Sequence, residues 1–229
     1  MKRKTSAIAV LLFAGTLLAH AQNLEAVLSA MDKAAADFRT AQADFAWDNY
    51  TKVVDEHENQ NGVIYVRRQG DNVQMAADIT SPPKEKKYVL FTGGVVSVYA
   101  PGPATVTEYN AGKNKGDFET FLVLGFGGRG HDLSKSFDVK YGGMEQVQGI
   151  NAAKLELKPK SQKVSNMFQT ITLWIDTSRG VSVQQLFMTG QGDYRMTKYT
   201  NIKLNEKVSN DVFKLKTSGK VTYVKPNAQ

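Results

Sequence analysis

The stretch LVLGFGGRG, Leu122 to Gly130, carries the most suggestive spacing in the chain. Gly125, Gly127 and Gly130 satisfy G-x-G-x-x-G, with which dinucleotide-binding loops bring backbone amides against a pyrophosphate at a helix N-terminus. That chemistry needs a buried strand before the first glycine, a crossover helix after the last and a second strand ending in an acid, all within about thirty residues. Glu145, about twenty positions past Gly125, could supply the acid. The flanks do not fit. Phe118, Phe121, Leu122, Val123 and Leu124 are spaced for a short helix at least as well as for a strand. Between Gly130 and the next strand near Val139 there is room only for a short helical turn, Asp132 to Phe137, whereas a parallel crossover takes about a dozen residues. No nucleotide cofactor is expected.

Other reactive constellations are equally thin. The chain has no Cys, which excludes disulfides, thiolate metal sites and a Cys nucleophile. No Ser stands in a G-x-S-x-G elbow, and there is no H-E-x-x-H. His57 has Asp55, Glu56 and Glu58 beside it, as a metal site would, yet a polar run between strands reads first as a solvated hairpin loop. His131 stands alone. No pair of carboxylates is marked out for glycoside chemistry. The expectation is therefore no catalytic residue, no metal and no cofactor, in a protein that is not an enzyme.

The first residues concern transport. Lys2, Arg3 and Lys4 form a basic start, Ala7 to Ala19 an apolar run, and Ala19-His20-Ala21 an A-x-A site, which together predict a signal peptide cleaved after Ala21. The apolar run is too short for a comfortable bilayer span. Removing residues 1–21 takes away three cations and no acid, so the net charge falls from +7 to +4. The remaining basic residues are scattered and not interleaved with aromatics on one segment, so nucleic acid is not an expected partner. Residues 22–229 are long enough for one domain held by its own core.

What must position any site is mostly strand. Leu24, Val27, Leu28, Met31, Ala35 and Phe38 keep the i, i+3, i+4, i+7 spacing of an amphipathic helix with Asn23 as its N-cap. Beyond it the period changes to two. Val63 to Arg68, Val73 to Thr80, Lys87 to Phe91 and Val95 to Tyr99 are β-rich runs parted by turn residues, and Ile171 to Ile175, Val181 to Thr189 and Asp193 to Leu204 continue the pattern. About ten or eleven strands at such spacing predict an antiparallel sheet or barrel, mainly β with short helices. Several strands are apolar on both sides: Ile64 and Val66 alternate with Val63 and Tyr65, and Val183 and Phe187 with Leu186 and Met188. Such a sheet is covered on both faces or encloses something. A closed core under helices and an apolar cavity beneath removable helices both satisfy the pattern.

The order of these elements resembles a known family. After the helix from Leu24 to Phe38 come GVIYVRR (Gly62 to Arg68), VSVYAP (Val96 to Pro101), FETFLVLG (Phe118 to Gly125), KLELKPK (Lys154 to Lys160), FQTITLWID (Phe168 to Asp176) and FKLK (Phe213 to Lys216). The succession is similar to that of the LolA family, the periplasmic carriers of outer-membrane lipoproteins. The resemblance implies an incomplete antiparallel β-barrel covered by lid helices around an apolar cavity that holds acyl chains. It implies lipidated proteins as cargo, taken from an inner-membrane ABC-type release complex and handed to an outer-membrane acceptor lipoprotein by a monomeric periplasmic carrier. Related folds bind other lipids or act as envelope-stress sensors.

Site residues follow from the same resemblance. The family's lid-holding arginine matches Arg68, expected to reach carbonyls near Leu124 and Gly125, with Arg67 as its rival because a slip of one residue swaps the faces. The family often has Pro directly after this arginine, whereas here Gln69-Gly70 follows. Gly125, Gly127, Gly128 and Gly130 would form a lid hinge, and a glycine-rich one. The expected cavity lining is Leu24, Val27, Leu28, Met31 and Phe38 from the first helix; Phe121, Leu122 and Leu124 from the central one; and Trp47, Val66, Tyr99 and Trp174 from the sheet.

Overall fold

The amphipathic spacing at the N-terminus forms a helix, α1, over residues 23–36 of a computed structural model that describes residues 23–70, 72–110 and 124–226. The expected signal peptide and the cavity candidates Phe121 and Leu122 lie outside the described residues. After α1 the chain runs through β1 (Thr40–Thr51), β2 (Glu56–Gln69), β3 (Asn72–Ser81), β4 (Lys87–Thr92), β5 (Val95–Ala100) and β6 (Thr105–Asn110). It continues with α2 (Gly130–Ser136), β7 (Phe137–Val147), β8 (Ile150–Pro159), α3 (Gln162–Met167), β9 (Thr170–Asp176), β10 (Val181–Met188), β11 (Tyr194–Leu204) and β12 (Thr222–Val224).

These strands form one sheet of twelve in the order β12-β6-β5-β4-β3-β2-β1-β11-β10-β9-β8-β7. Two antiparallel meanders, β1 to β6 and β7 to β11, are joined side by side where β1 pairs with β11. The two edge strands, β7 and β12, do not pair, so the barrel is incomplete. The expected antiparallel architecture holds, with one addition: β12, three exposed residues long, lies parallel to β6. So short a strand carries too little alternation to be read from sequence.

Period-two alternation gives the sheet two differently covered faces. On the face under α1, Val27, Leu28 and Met31 pack with Leu155, Leu157, Leu173 and other residues of β8 and β9. Further along the same face, Phe38 and Phe126 cover Phe45, Val66, Ala77 and Ile79. On the back face, Tyr65, Ala76, Tyr88 and Leu90 are packed by Val208, Val212, Phe213 and Leu215 from the C-terminal segment. Val147, Ala152, Trp174 and Val183 form a second back-face cluster.

Two expectations do not hold. Glu56, His57 and Glu58 are not a hairpin loop; they belong to β2 and pair with Thr51, Tyr50 and Asn49 of β1. A strand can be polar where both its faces reach water, and His57 Nδ1 bonds Asp48 Oδ1 at 2.7 Å. Val183 does not share a face with Phe187. A register shift between Ser182 and Gln184 turns it to the back-face cluster with Leu186 and Trp174, as one extra residue in a strand must.

Candidate functional site

The connection from β6 to β7 must cross from one half of the sheet to the far edge, and its described part, residues 124–129, lies on the helix-covered face. Leu124 and Phe126 are buried there at 3% and 2% exposure. The Phe126 ring meets Tyr199 edge-on, with centroids 4.9 Å apart at 82°. Three hydrogen bonds from the sheet seat the backbone of this loop. Gln185 Nε2 donates to Leu124 O at 2.5 Å, Ser182 N to Gly125 O at 2.9 Å, and Arg68 Nη2 to Gly127 O at 2.7 Å.

The strand register decides between the two arginines. Arg68 faces the loop, its guanidinium also 5.7 Å from the Phe38 ring centre. Arg67 points to the back face, donates to Gln74 and Asn210, and lies 4.1 Å over the Phe213 ring. Of the carbonyls near Leu124 and Gly125, those of these two residues accept from Gln185 and Ser182, and Arg68 takes the one at Gly127.

Close approach excludes a side chain at three of the glycines. A Cβ on Gly127 would stand 2.3 Å from the Phe38 ring, one on Gly125 2.4 Å from Ser182 Cβ, and one on Gly130 2.4 Å from Leu28 O. Gly125 and Gly127 also have φ of +91° and +78°, where a Cβ is strained. Gly128 borders a smaller cavity of about 300 Å³ that Met31, Arg68 and Leu133 also line.

Beneath the loop and α3 lies a cavity of about 710 Å³. Its wall is mainly apolar, with Trp47, Ile64, Met75 and Val89 from the sheet facing Leu124, Phe126 and Phe168. One end is polar: Asn49, Glu58, Gln60 and Arg195 gather toward the β1–β2 hairpin. Arg195 Nε donates to Asn49 Oδ1 at 2.7 Å, and its guanidinium lies 5.3 Å from the Trp47 ring centre. Crowding by protein lowers the Arg195 pKa from its ordinary value, although the side chain keeps contact with water at the cavity rim. Burial pushes the Tyr199 phenol up, and its hydroxyl donates to Gln185 Oε1 at 3.2 Å. Gln185 thus holds the loop with one end of its amide and is itself oriented by Tyr199 at the other.

The nominated residues separate into three groups. Trp47 and Leu124 line the large cavity. Val27, Leu28, Met31, Phe38 and Val66 are buried in the apolar clusters beside it, and Leu24 packs on the edge of the α1 cluster. Tyr99 and Trp174 point away from it and correct the expectation. Tyr99 stands opposite Tyr88 on the back face and shares a hydrogen bond with Ser218, while the Trp174 indole donates to Glu145 Oε2 at 2.6 Å. Their strands alternate, and sequence alone does not say which parity faces inward. Met75, Phe126, Phe168, Phe187, Gln185 and Arg195 also line the large cavity and are absent from the sequence expectation. Once Trp47 is set inward, the β1–β11 pairing puts its partner Thr197, and with it Arg195 and Tyr199, on the same face.

A polar clasp joins α1 to α2 beside the loop. His131 Nδ1 bonds Asp32 Oδ2, and its Nε2 lies 3.1 Å from Glu25. Hydrogen bonds to Asp32 first and Glu25 second raise the His131 pKa. The bond to His131 lowers Glu25; burial pushes Asp32 up, but its bonds to His131 outweigh this and leave it below its ordinary value. What the whole arrangement can do is exclude water from an apolar guest under a loop that three hydrogen bonds hold down.

Comparison with known proteins bears on the family and the fold. The family model described as "Outer membrane lipoprotein carrier protein LolA" matches residues 36–216. Among solved structures, MucB superposes with a TM-score of 0.53 at 13% identity over 85% of this chain and 63% of MucB. The chain thus spans under two thirds of MucB's length. An uncharacterized conserved protein of Thermus thermophilus superposes at 0.54 with 12% identity, covering 86% of this chain and 97% of that one. A LolA superfamily protein of Nitrosomonas europaea gives 0.41 at 13% identity, over 83% and 97%. Among curated proteins no relative matches the sequence. Among the described residues no helix is long and apolar enough to cross a membrane.

Proposed function

The chain belongs to the LolA family of outer membrane lipoprotein carrier proteins, and from that premise we propose that it shields the acyl chains of lipidated proteins in the 710 Å³ cavity while they cross the periplasm. Residues 1–21 act as a cleaved export signal in this reading, and residues 22–229 form the single carrier domain, working as a monomer. Cargo passes from an inner-membrane ABC-type release complex to an outer-membrane acceptor lipoprotein. The observation that carries the proposal is the mainly apolar cavity under Leu124 and Phe126, with the bond from Arg68 to Gly127 O serving in this reading as the latch. Three acyl chains with roughly forty methylenes would cost ~30 kcal/mol in water at about 0.8 kcal/mol each, so such cargo needs a shield. Release then requires the loop to lift, with Gly125, Gly127, Gly128 and Gly130 absorbing the change as the hinge.

The size of the cavity favours a second reading, a carrier of another lipid. A methylene takes about the room of a water molecule, roughly 30 Å³, so 710 Å³ holds about twenty-four. That suits one or two acyl chains. Native mass spectrometry of protein purified gently from the periplasm tests both readings. A bound lipidated protein supports the first, and a bound lipid the second. An empty chain that turns over a test ester overturns both.

A further inference from the structure

The polar end of the cavity is more specific than a solvent mouth requires. Arg195, Asn49 and Glu58 lie side by side on β11, β1 and β2, because Asn49 pairs with Arg195 on one side and with Glu58 on the other. Two strand spacings therefore separate the cation from the anion, roughly 10 Å between their Cα atoms, and the two long side chains can close on a group between them. Asn49 and the Trp47 ring fix the guanidinium through Nε and one face. Neither Nη atom has a hydrogen bond or ion pair among the described residues, so the fork that binds a phosphate or carboxylate in two bonds is unoccupied. Glu58 accepts one bond, from Gln60 Nε2 at 2.6 Å on Oε1. From this polar rung the apolar lining of the cavity continues along β1 and β2 through Trp47 and Ile64 to Leu124 and Phe126 of the loop. From Glu58 to Ile64 the strand runs about 20 Å at roughly 3.3 Å per residue, longer than one leaflet of a ~30 Å hydrocarbon core.

We propose that this cavity takes a zwitterionic phospholipid, with Arg195 holding the phosphate, Glu58 the ammonium, and the acyl chains lying along β1 and β2 toward the loop. A neutral glyceride would leave Arg195 and Glu58 with only their mutual attraction across Asn49, and a purely anionic headgroup would set its charge against Glu58. Only a headgroup with both signs satisfies the rung; Lys87, the other cation of the lining, stands two strands away from Glu58 on β4. The inference rests on the reading that the cavity takes acyl chains.

The test is displacement of a dansyl-labelled fatty acid from the purified protein by three competitors with the same short chains, each below its micelle concentration: diheptanoyl phosphatidylethanolamine, diheptanoyl phosphatidylglycerol and diheptanoylglycerol. Phosphatidylethanolamine should compete at about tenfold lower concentration than the glyceride, the worth of a charge-assisted bond, and phosphatidylglycerol should lie between. Arg195→Gln should bring phosphatidylethanolamine toward the glyceride while leaving the glyceride unchanged, and Glu58→Gln should raise phosphatidylglycerol to the level of phosphatidylethanolamine. Equal competition by all three lipids against the unmodified protein overturns the inference whether or not the variants fold, as does a parallel shift of all three in either variant. A probe that never binds, or that no lipid displaces, overturns the carrier reading with it.

Discussion

Replacing Arg68 by Leu removes one of the three hydrogen bonds that seat residues 124–129 and leaves those from Gln185 and Ser182 in place. A bond from a charged donor is worth about 1.5–3 kcal/mol. Arg68 is half-buried, so water recovers part of that, and the lower end, about 1.5 kcal/mol, is the expected loss. That is roughly a tenfold rise in the population with the loop lifted. Hydrogen exchange reads it directly, because the Ser182 amide donates to Gly125 O and opens when the loop leaves. In Arg68→Leu this amide should exchange about tenfold faster, while amides at the centre of β1 and β2, such as that of Ala43, keep their protection. Equal acceleration at Ser182 and Ala43 would mean general destabilisation, and unchanged Ser182 exchange would mean that the loop is held without Arg68. Either result refutes the latch.

Gly127→Ala drives a methyl to within 2.3 Å of the Phe38 ring at a φ of +78°, so denaturant unfolding should show a loss of about 2–4 kcal/mol. Gly102→Ala, with nothing within 4 Å of the added carbon, should stay within about 0.5 kcal/mol. Tyr199→Phe deletes the buried bond to Gln185 Oε1, and with it the anchor of the amide that holds Leu124 O; stability should fall by about 1 kcal/mol and Ser182 exchange should quicken. The His131 clasp gives a pH signature. His131 is raised, so its contribution is complete below its unfolded value near 6.5 and is lost as pH rises through the folded value. Glu25 and Asp32 are lowered, so theirs is present above roughly pH 4 and fades only as pH falls through their folded values. The melting temperature of His131→Gln should therefore fall furthest below that of the unmodified protein between about pH 4.5 and 6.5, and the two should converge in alkali. A gap that grows with rising pH would contradict the assignment.

Much of the architecture was legible because local periodicity carries it. The 3.6-residue spacing from Leu24 to Phe38 marks α1 and its buried stripe, and the alternation in Ile171 to Ile175 marks a strand whose isoleucines and leucine face one way. The short helix after the glycines, expected at Asp132 to Phe137, is α2. The candidate site was less legible, since a cavity is a property of which parity faces inward. Trp47 and Trp174 look alike as aromatic strand residues, yet the first lines the cavity and the second is tied to Glu145 on the back face. Val183 went astray through one register shift that the residue types do not announce. Arg195 sits in an exposed, polar part of β11 and acquires meaning only from Asn49 and Glu58, more than a hundred residues earlier in the chain.

The glycines of LVLGFGGRG divide the two kinds of knowledge most clearly. By itself the sequence determined that they are not a phosphate cradle, because no crossover helix can fit between Gly130 and the next strand, and that distance along the chain is a local fact. Composition likewise determined that the fold is held without disulfides. Only the tertiary structure decided why side chains are excluded at Gly125, Gly127 and Gly130. The Phe38 ring, Ser182 and the Leu28 carbonyl occupy the space a Cβ would need, and all three come from elements distant in sequence. It also decided that Arg68 and not Arg67 meets the loop, since the face of a strand is set by its neighbours' register and not by its own residues.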